Sequence, residues 1–89
     1  MKFEYDIQKS LSNKQKHGID FEEAKLLWSD DKMVEIRTSY EDEERFVTIG
    51  KRTAKVYAVV TTYRRENIRI ISARRARKKE IEIYESTRI

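Results

Sequence analysis

The sequence has 89 residues, of which 40% are charged and 38% hydrophobic, with a formal net charge of +4; a chain this short has room for one core, so we expect a single domain over residues 1–89. It contains no cysteine, one histidine and two glycines, which excludes a disulfide framework, a multi-histidine metal site and a glycine-rich phosphate loop within one chain. We therefore expect no bound cofactor or metal. Its apolar runs are too short for a membrane span and its first residues include charges, so we expect a cytoplasmic protein.

The N-terminal residues predict a short strand followed by a helix. Polarity alternates from residue 3 to residue 5, as it does in a strand. Asp6 suits the N-cap of a first helix, in which Ile7 and Leu11 lie one turn apart and form a thin apolar stripe. This helix is expected to end at Gly18, because glycine accepts the left-handed conformation that follows a helix.

A second helix is predicted directly after the first. Asp20 and Glu23 have the spacing of a capping box, and Ile19 and Ala24 have that of a hydrophobic staple. The polar run at residues 29–31 ends this helix. We therefore expect two N-terminal helices joined by a tight connection.

The period of the hydrophobic pattern then changes to two, which predicts strands. The predicted strands cover residues 33–38, 45–49, 55–63 and 68–73, and the acidic residues 41–44 form a turn between the first two. Short connections between consecutive strands favour antiparallel pairing. We expect an antiparallel sheet of four or five strands.

Beyond the sheet, the sequence predicts a basic C-terminal helix. Ser72 is a possible N-cap, and Ala73, Ala76, Glu80 and Tyr84 follow with spacings of three or four residues. The predicted fold class is therefore α+β, with two N-terminal helices, the antiparallel sheet and a C-terminal helix.

Charge is unevenly distributed along the chain. Residues 1–50 contain 8 Lys and Arg against 12 Asp and Glu, whereas residues 51–89 contain 12 against 4. The basic half is rich in arginine, whose planar guanidinium matches phosphate oxygens. Such a segment favours a polyanion or an acidic protein as partner, and a solvated basic face would have the same composition.

The densest basic stretch lies at residues 63–79. Within its predicted strand, Arg69 and Ile71 are expected on one face and Ser72 on the other. An arginine at that position is either a solubilising residue of an edge strand or a cation in the floor of a cleft. The sequence leaves both interpretations open.

Cleavage of RNA without a metal requires the neighbouring 2′-hydroxyl to attack phosphorus while charge develops on the phosphate. Arginine can stabilise that charge but cannot act as a base, so a carboxylate, a tyrosine, a lysine or His17 would have to transfer protons. Lys9, Asn13 and His17 form a polar stripe on the first predicted helix. His17 is either a helix-end residue that interacts with the helix dipole or a proton-transfer group.

Short motifs occur in a defined order along nearly the whole chain. They are FEYD at residues 3–6, Lys9 and Asn13 followed by KHG at 16–18, FEEA at 21–24, Asp30, EERF at 43–46, IG at 49–50, RIISARRA at 69–76, Glu80 and Tyr84. In this combination the sequence resembles the BrnT family, whose members are toxins of type II toxin–antitoxin pairs. KHG together with RIISAR is fairly specific.

The resemblance implies a RelE-like fold and a metal-independent ribonuclease that inhibits translation. It also implies a cognate BrnA-type antitoxin with a ribbon-helix-helix DNA-binding domain. Toxin and antitoxin would form a hetero-oligomer, and contact with DNA would occur only through that complex. The family motif falls on the following residues: Lys9, His17, Arg45, Arg69, Arg74, Arg75 and Tyr84.

Our hypothesis from the sequence is an endoribonuclease toxin with a cationic site. The residues expected to act in catalysis are Arg64, Arg69, Arg74, Arg75, His17 and Tyr84. The residues expected to bind RNA are Lys9, Arg45, Lys51 and Arg52. The alternative is a non-catalytic basic module that docks an acidic partner or nucleic acid.

Overall fold

A five-stranded sheet forms the centre of the molecule, and the computed structural model describes residues 2–40 and 43–86. The strands are β1 (Phe3–Glu4), β2 (Val34–Tyr40), β3 (Glu43–Arg52), β4 (Lys55–Arg64) and β5 (Asn67–Arg75). Their order across the sheet is β1-β5-β4-β3-β2. Strands β2 to β5 pair antiparallel, whereas β1 runs parallel to β5. The α+β class is confirmed, and the expectation of a purely antiparallel sheet was wrong, because helices rather than a hairpin follow β1.

The first two helices begin where their capping residues predict, and the third begins later than expected. They are α1 (Ile7–His17), α2 (Phe21–Ala24), which continues as a 3₁₀ turn (Lys25–Ser29), and α3 (Lys78–Ser86). The carboxylate of Asp6 accepts hydrogen bonds from the first turn of α1, and Gly18 ends that helix with a φ of 75°. Asp20 and Glu23 form the predicted capping box of α2. The second predicted helix therefore contains only four residues of α-helix, and its remaining residues form the 3₁₀ turn.

The sheet carries a separate hydrophobic core on each face. One core joins α2 and the 3₁₀ turn to β4 and β5, and it contains Ile19, Phe21, Ala24, Leu27, Tyr57, Val59, Ile70 and Ala73. The 3₁₀ turn approaches β3 closely, since a Cβ on Gly50 would lie 3.2 Å from the Leu27 side chain. On the opposite face, Tyr84 of α3 packs with Ile49 and Val56. Helix α3 therefore covers one end of that face.

Helix α1 is attached to the sheet by the amide of Asn13, which is buried. The Nδ2 atom donates to the carbonyl oxygens of Ile19 at 2.7 Å and Ala73 at 2.8 Å. The Oδ1 atom accepts from the Ala73 N–H at 3.3 Å. Strand β1 pairs with β5 only at Ile68 and Arg69. Farther along the same edge of β5, the Asn13 side chain pairs with the backbone of Ala73 as a neighbouring strand would. Ser10 also points inward and accepts from the Phe21 N–H at 2.9 Å.

The predicted apolar stripe of α1 does not face the core. Ile7 is 67% exposed and Leu11 is 59% exposed. The buried residues of this helix are polar, namely Ser10 and Asn13. Hydrogen bonds to neighbouring backbone therefore decide how α1 is oriented, and its apolar side chains remain on the surface.

The prediction that a helix begins after Ser72 was wrong. Pairing with β4 continues to Arg75, which lies opposite Tyr57, and α3 begins only at Lys78. The ladder to β4 and the hydrogen bonds from Asn13 override the helical propensity of this segment. Of the predicted acidic turn, residues 41 and 42 lie outside the described residues, and Glu43 and Glu44 belong to β3.

A register shift in β5 changes which side chains share a face. Thr61 pairs with Ile70 and Val60 with Ser72, so that Ile71 is an additional residue in β5. Arg69 lies opposite Thr62, two residues from Val60 in the same strand. Arg69 and Ser72 therefore lie on the same face of the sheet, which corrects the alternation expected from the sequence.

Replacing Asn13 with alanine should lower the free energy of unfolding by about 2 to 4 kcal/mol, because buried backbone groups of Ile19 and Ala73 lose their partner. Urea unfolding followed by circular dichroism measures the difference. Gln15→Ala, at an exposed position of the same helix, should change stability by less than about 0.5 kcal/mol. Equal stability of the two variants would contradict the assigned role of Asn13.

Candidate functional site

Four cationic side chains meet in a cleft on the sheet face that also carries α3. The cleft has a volume of about 230 Å³ and is lined by Lys9, Glu43, Arg45, Thr62, Arg64, Arg69 and Ile71. The cations come from α1, β3, β4 and β5. Of the ten site residues predicted from the sequence, the structure brings these four together: Lys9, Arg45, Arg64 and Arg69.

Strand register places the arginines of the cleft on one face. Arg69 lies opposite Thr62, and Arg64 follows Thr62 by two residues in β4, so their side chains point the same way. Lys9 reaches the cleft from α1, one turn before the Asn13 anchor. The convergence therefore depends on the attachment of α1 to the edge of β5.

Two carboxylates lie among these cations. Glu4 accepts hydrogen bonds from Asn67 and Arg69, each at 3.1 Å, and lies 3.7 Å from Arg64. The hydrogen bond from Asn67, together with those arginines, lowers the pKa of Glu4 below its usual value. Glu43 pairs with Arg45 at 2.8 Å. The carboxylates hold the guanidinium groups in place and leave the cleft with an excess of positive charge.

His17 lies beside the cleft rather than within it. It is exposed at the end of α1 and lines a neighbouring cavity of about 260 Å³ with Lys16, Ser72 and Lys9. Lys9 and Ile71 line both cavities. An extended polyanion that follows Lys9 would therefore pass from the cleft to the imidazole.

Arg74 and Arg75 occupy different environments outside the cleft. The Arg74 guanidinium donates to both carboxylate oxygens of Glu80, at 2.8 and 2.9 Å. This pairing with Glu80 raises the pKa of Arg74 and lowers that of Glu80. Arg75 lies on the opposite face, with its guanidinium carbon 5.8 Å from the centre of the Tyr57 ring. The pair of adjacent arginines is thus divided between the two faces.

The other predicted site residues lie at the α3 end of the sheet or on the opposite face. Tyr84 is 2% exposed, and its hydroxyl donates to Asp30 at 2.6 Å. Lys51 is exposed near Asp30, to which its backbone N–H donates. Arg52 lies 3.8 Å from Glu23 on the α2 face. None of these three side chains lines the cationic cleft.

Sequence reasoning did not assign Glu4, Glu43, Thr62 or Ile71 to the site, although it expected Ile71 on the same face as Arg69. The period of two in β4 could have indicated Thr62, because it precedes Arg64 by two residues. Glu4 belongs to the FEYD motif, but nothing in the sequence placed it beside Arg69, since β1 pairs with a strand more than 60 residues away.

A comparison with protein families finds a match over most of the chain. Residues 5–80 match the family described as the ribonuclease toxin BrnT of type II toxin–antitoxin systems. The chain belongs to the BrnT family. The resemblance found in its motifs is confirmed, and as a type II toxin this BrnT chain has an antitoxin partner. None of the curated proteins compared with it matches.

Two kinds of feature, a metal-binding cluster and a membrane-spanning helix, are absent from the described part of this BrnT chain. Within residues 2–40 and 43–86, no three Asp, Glu or His side chains are grouped so that they could hold a metal ion. Among the helices of the same part of the chain, none has the length and apolarity needed to cross a membrane.

Glu80→Gln should lower the free energy of unfolding by about 1 to 2 kcal/mol at pH 7, because it removes a charge-assisted pair with Arg74. The pKa of Glu80 is lowered from 4.5 in the folded protein. The stabilising effect of the Glu80 carboxylate is therefore fully present above about pH 4.5, and it is lost as the pH falls through the lowered pKa that this carboxyl has in the folded protein. Urea unfolding at pH 7 and near pH 3 should show the difference from wild type closing in acid.

Glu82→Gln, an exposed position in the same helix, is the matched control and should resemble wild type at both pH values. A difference between Glu80→Gln and wild type that stays the same in acid would show that the ion pair with Arg74 is not its source.

Proposed function

We propose that this BrnT chain cleaves RNA in the cleft formed by Lys9, Arg45, Arg64 and Arg69. The observation that carries the proposal is the convergence of these four cations from one helix and three strands. Cleavage would take place in the cytoplasm without a metal ion and would inhibit translation, and we propose that the fold is RelE-like. Membership of a family of ribonuclease toxins supports the reaction class.

The cleft suits a reaction in which RNA supplies its own nucleophile. The 2′-oxygen attacks the adjacent phosphorus and loses its proton, the bond from phosphorus to the 5′-oxygen breaks, and that oxygen gains a proton. The products are a 2′,3′-cyclic phosphate and a 5′-hydroxyl. Guanidinium and ammonium groups stabilise the negative charge that develops on the phosphate, and they repel a metal cation. These side chains therefore supply electrostatic stabilisation in place of a metal.

Proton transfer needs a group other than arginine. His17 is the proposed candidate, because it is exposed and its cavity shares Lys9 with the cleft. Tyr84 is not included, since its ring is buried and its hydroxyl donates to Asp30. Arg74, with both outer nitrogens bonded to Glu80, is assigned to the attachment of α3.

Arg69→Ala and Arg64→Ala should each slow RNA cleavage by about 100-fold or more, because each removes a cation from the developing charge. His17→Gln should slow it by a similar factor through lost proton transfer. The assay incubates antitoxin-free protein with cellular RNA in excess EDTA and analyses the ends of the fragments. Wild type should produce 2′,3′-cyclic or 3′-phosphate ends.

Arg75→Ala is the matched control, since this arginine lies on the opposite face over Tyr57; it should cleave at the wild-type rate. Loss of cleavage in Arg75→Ala but not in Arg69→Ala would contradict the placement of the site. Intact RNA with wild type, combined with salt-sensitive RNA binding, would favour the alternative of a non-catalytic binding module.

We propose that the antitoxin is of the BrnA type, with a ribbon-helix-helix domain through which alone the complex contacts DNA. The exposed face of α1 suits such a partner. Ile7 and Leu11 are more than half exposed there, and the helix carries three lysines and no acidic residue. Its partner would be apolar and acidic.

Leu11→Ser should weaken binding of the BrnA-type antitoxin by about tenfold or more, because an apolar contact is lost from the interface. Isothermal titration of purified toxin with antitoxin measures the change. Leu26→Ser, at a leucine that is 51% exposed outside α1, should bind as wild type does. If the two variants bind equally well, α1 is not the docking surface.

A further inference from the structure

Two aromatic rings pack together at the end of the sheet next to the cleft. Phe46 of β3 and Tyr63 of β4 have ring centres 5.0 Å apart and planes at 78° to each other. Tyr63 is 40% exposed. A partly exposed tyrosine held by a second ring offers a rigid apolar surface to a ligand.

The aromatic pair lies in a cavity that adjoins the cationic cleft. This cavity has a volume of about 350 Å³ and is lined by Glu43, Glu44, Phe46, Thr62, Tyr63 and Arg64. Glu43, Thr62 and Arg64 also line the cleft. Because Tyr63 alternates with Thr62 and Arg64 along β4, its ring lies on the sheet face opposite the cleft. The two cavities meet around the end of the sheet, so a ligand bound to Arg64 through a phosphate can pass around that end and place its next group against the Tyr63 ring.

Neighbouring side chains fix the tyrosine and reduce the charge around it. The Tyr63 hydroxyl donates to Glu35 at 2.8 Å, which restricts rotation of the ring. Partial burial and this hydrogen bond raise the pKa of Tyr63 to about 12, so the hydroxyl stays protonated at neutral pH. Glu43 is paired with Arg45, and Glu44 with Arg37. Both carboxylates of the cavity thus have cationic partners, which weakens their repulsion of a polyanion.

We propose that Tyr63, supported by Phe46, is a nucleobase-binding subsite for the nucleotide adjacent to the phosphate in the cleft. The proposal rests on the proposed function and adds a contact to the base, whereas the cleft contacts the phosphate. Stacking uses the π face that every base has, so the subsite strengthens binding of single-stranded RNA with little sequence preference. A duplex would not expose a base face to the ring.

Tyr63→Leu should weaken binding of a short 2′-O-methyl RNA, which cannot be cleaved, by about tenfold. Tyr63→Phe should remain within about twofold of wild type, because it keeps the ring and loses only the hydroxyl. Fluorescence anisotropy over a series of salt concentrations measures both. Tyr63→Leu should leave the log–log salt slope unchanged, whereas Arg64→Ala should reduce it by about 1, since only the arginine contacts phosphate.

A second measurement changes the RNA instead of the protein. An oligonucleotide of equal length with abasic positions should bind wild type about as weakly as the intact oligonucleotide binds Tyr63→Leu. The subsite is overturned if the abasic and intact oligonucleotides bind wild type equally well, or if folded Tyr63→Leu binds as tightly as wild type. Wild type that still cleaves RNA in those cases retains the proposed function. Wild type that neither binds nor cleaves RNA would overturn both proposals.

Discussion

The amide of Asn13 is the interaction on which the proposed site depends. It satisfies both backbone groups of Ala73 and the carbonyl of Ile19, so it joins α1, the start of α2 and the edge of β5. A buried amide in this position has few alternatives, because any shift of α1 would leave buried polar groups without partners. Lys9 and His17 lie one turn to either side of it, and their positions beside the sheet follow from this anchor.

The proposed cleft illustrates how cations can be concentrated without destabilising the fold. Arg69 and Arg64 share Glu4, and Arg45 has Glu43. Each carboxylate reduces repulsion in the free protein and restricts the rotamers of the guanidinium groups, so less conformational entropy is lost when a phosphate binds. The same pairing at Arg74 and Glu80 has a structural outcome, because it attaches α3 to the sheet.

The arginine-rich end of β5 shows why the sequence alone predicts that a basic surface exists but not which face of the sheet each arginine occupies. Strict alternation would place Ser72 and Arg69 on different faces of the sheet, but the additional residue Ile71 brings them to the same face. Arg74 and Arg75 then point to opposite faces, one toward Glu80 and the other over Tyr57. A bulge depends on how two strands pair, and the partner strand is not visible in the local sequence.

Local chemistry was sufficient to predict the caps at Asp6, Gly18 and Asp20, the β2 to β5 strands and the family, because each depends on residues close in the chain or on short motifs. The sequence also determined that a basic, arginine-rich surface would exist. Only the tertiary structure decided that β1 runs parallel to β5, that α1 exposes Ile7 and Leu11, and which cations share a cleft. These features arise from contacts between distant residues, where strand register and buried hydrogen bonds outweigh local propensity.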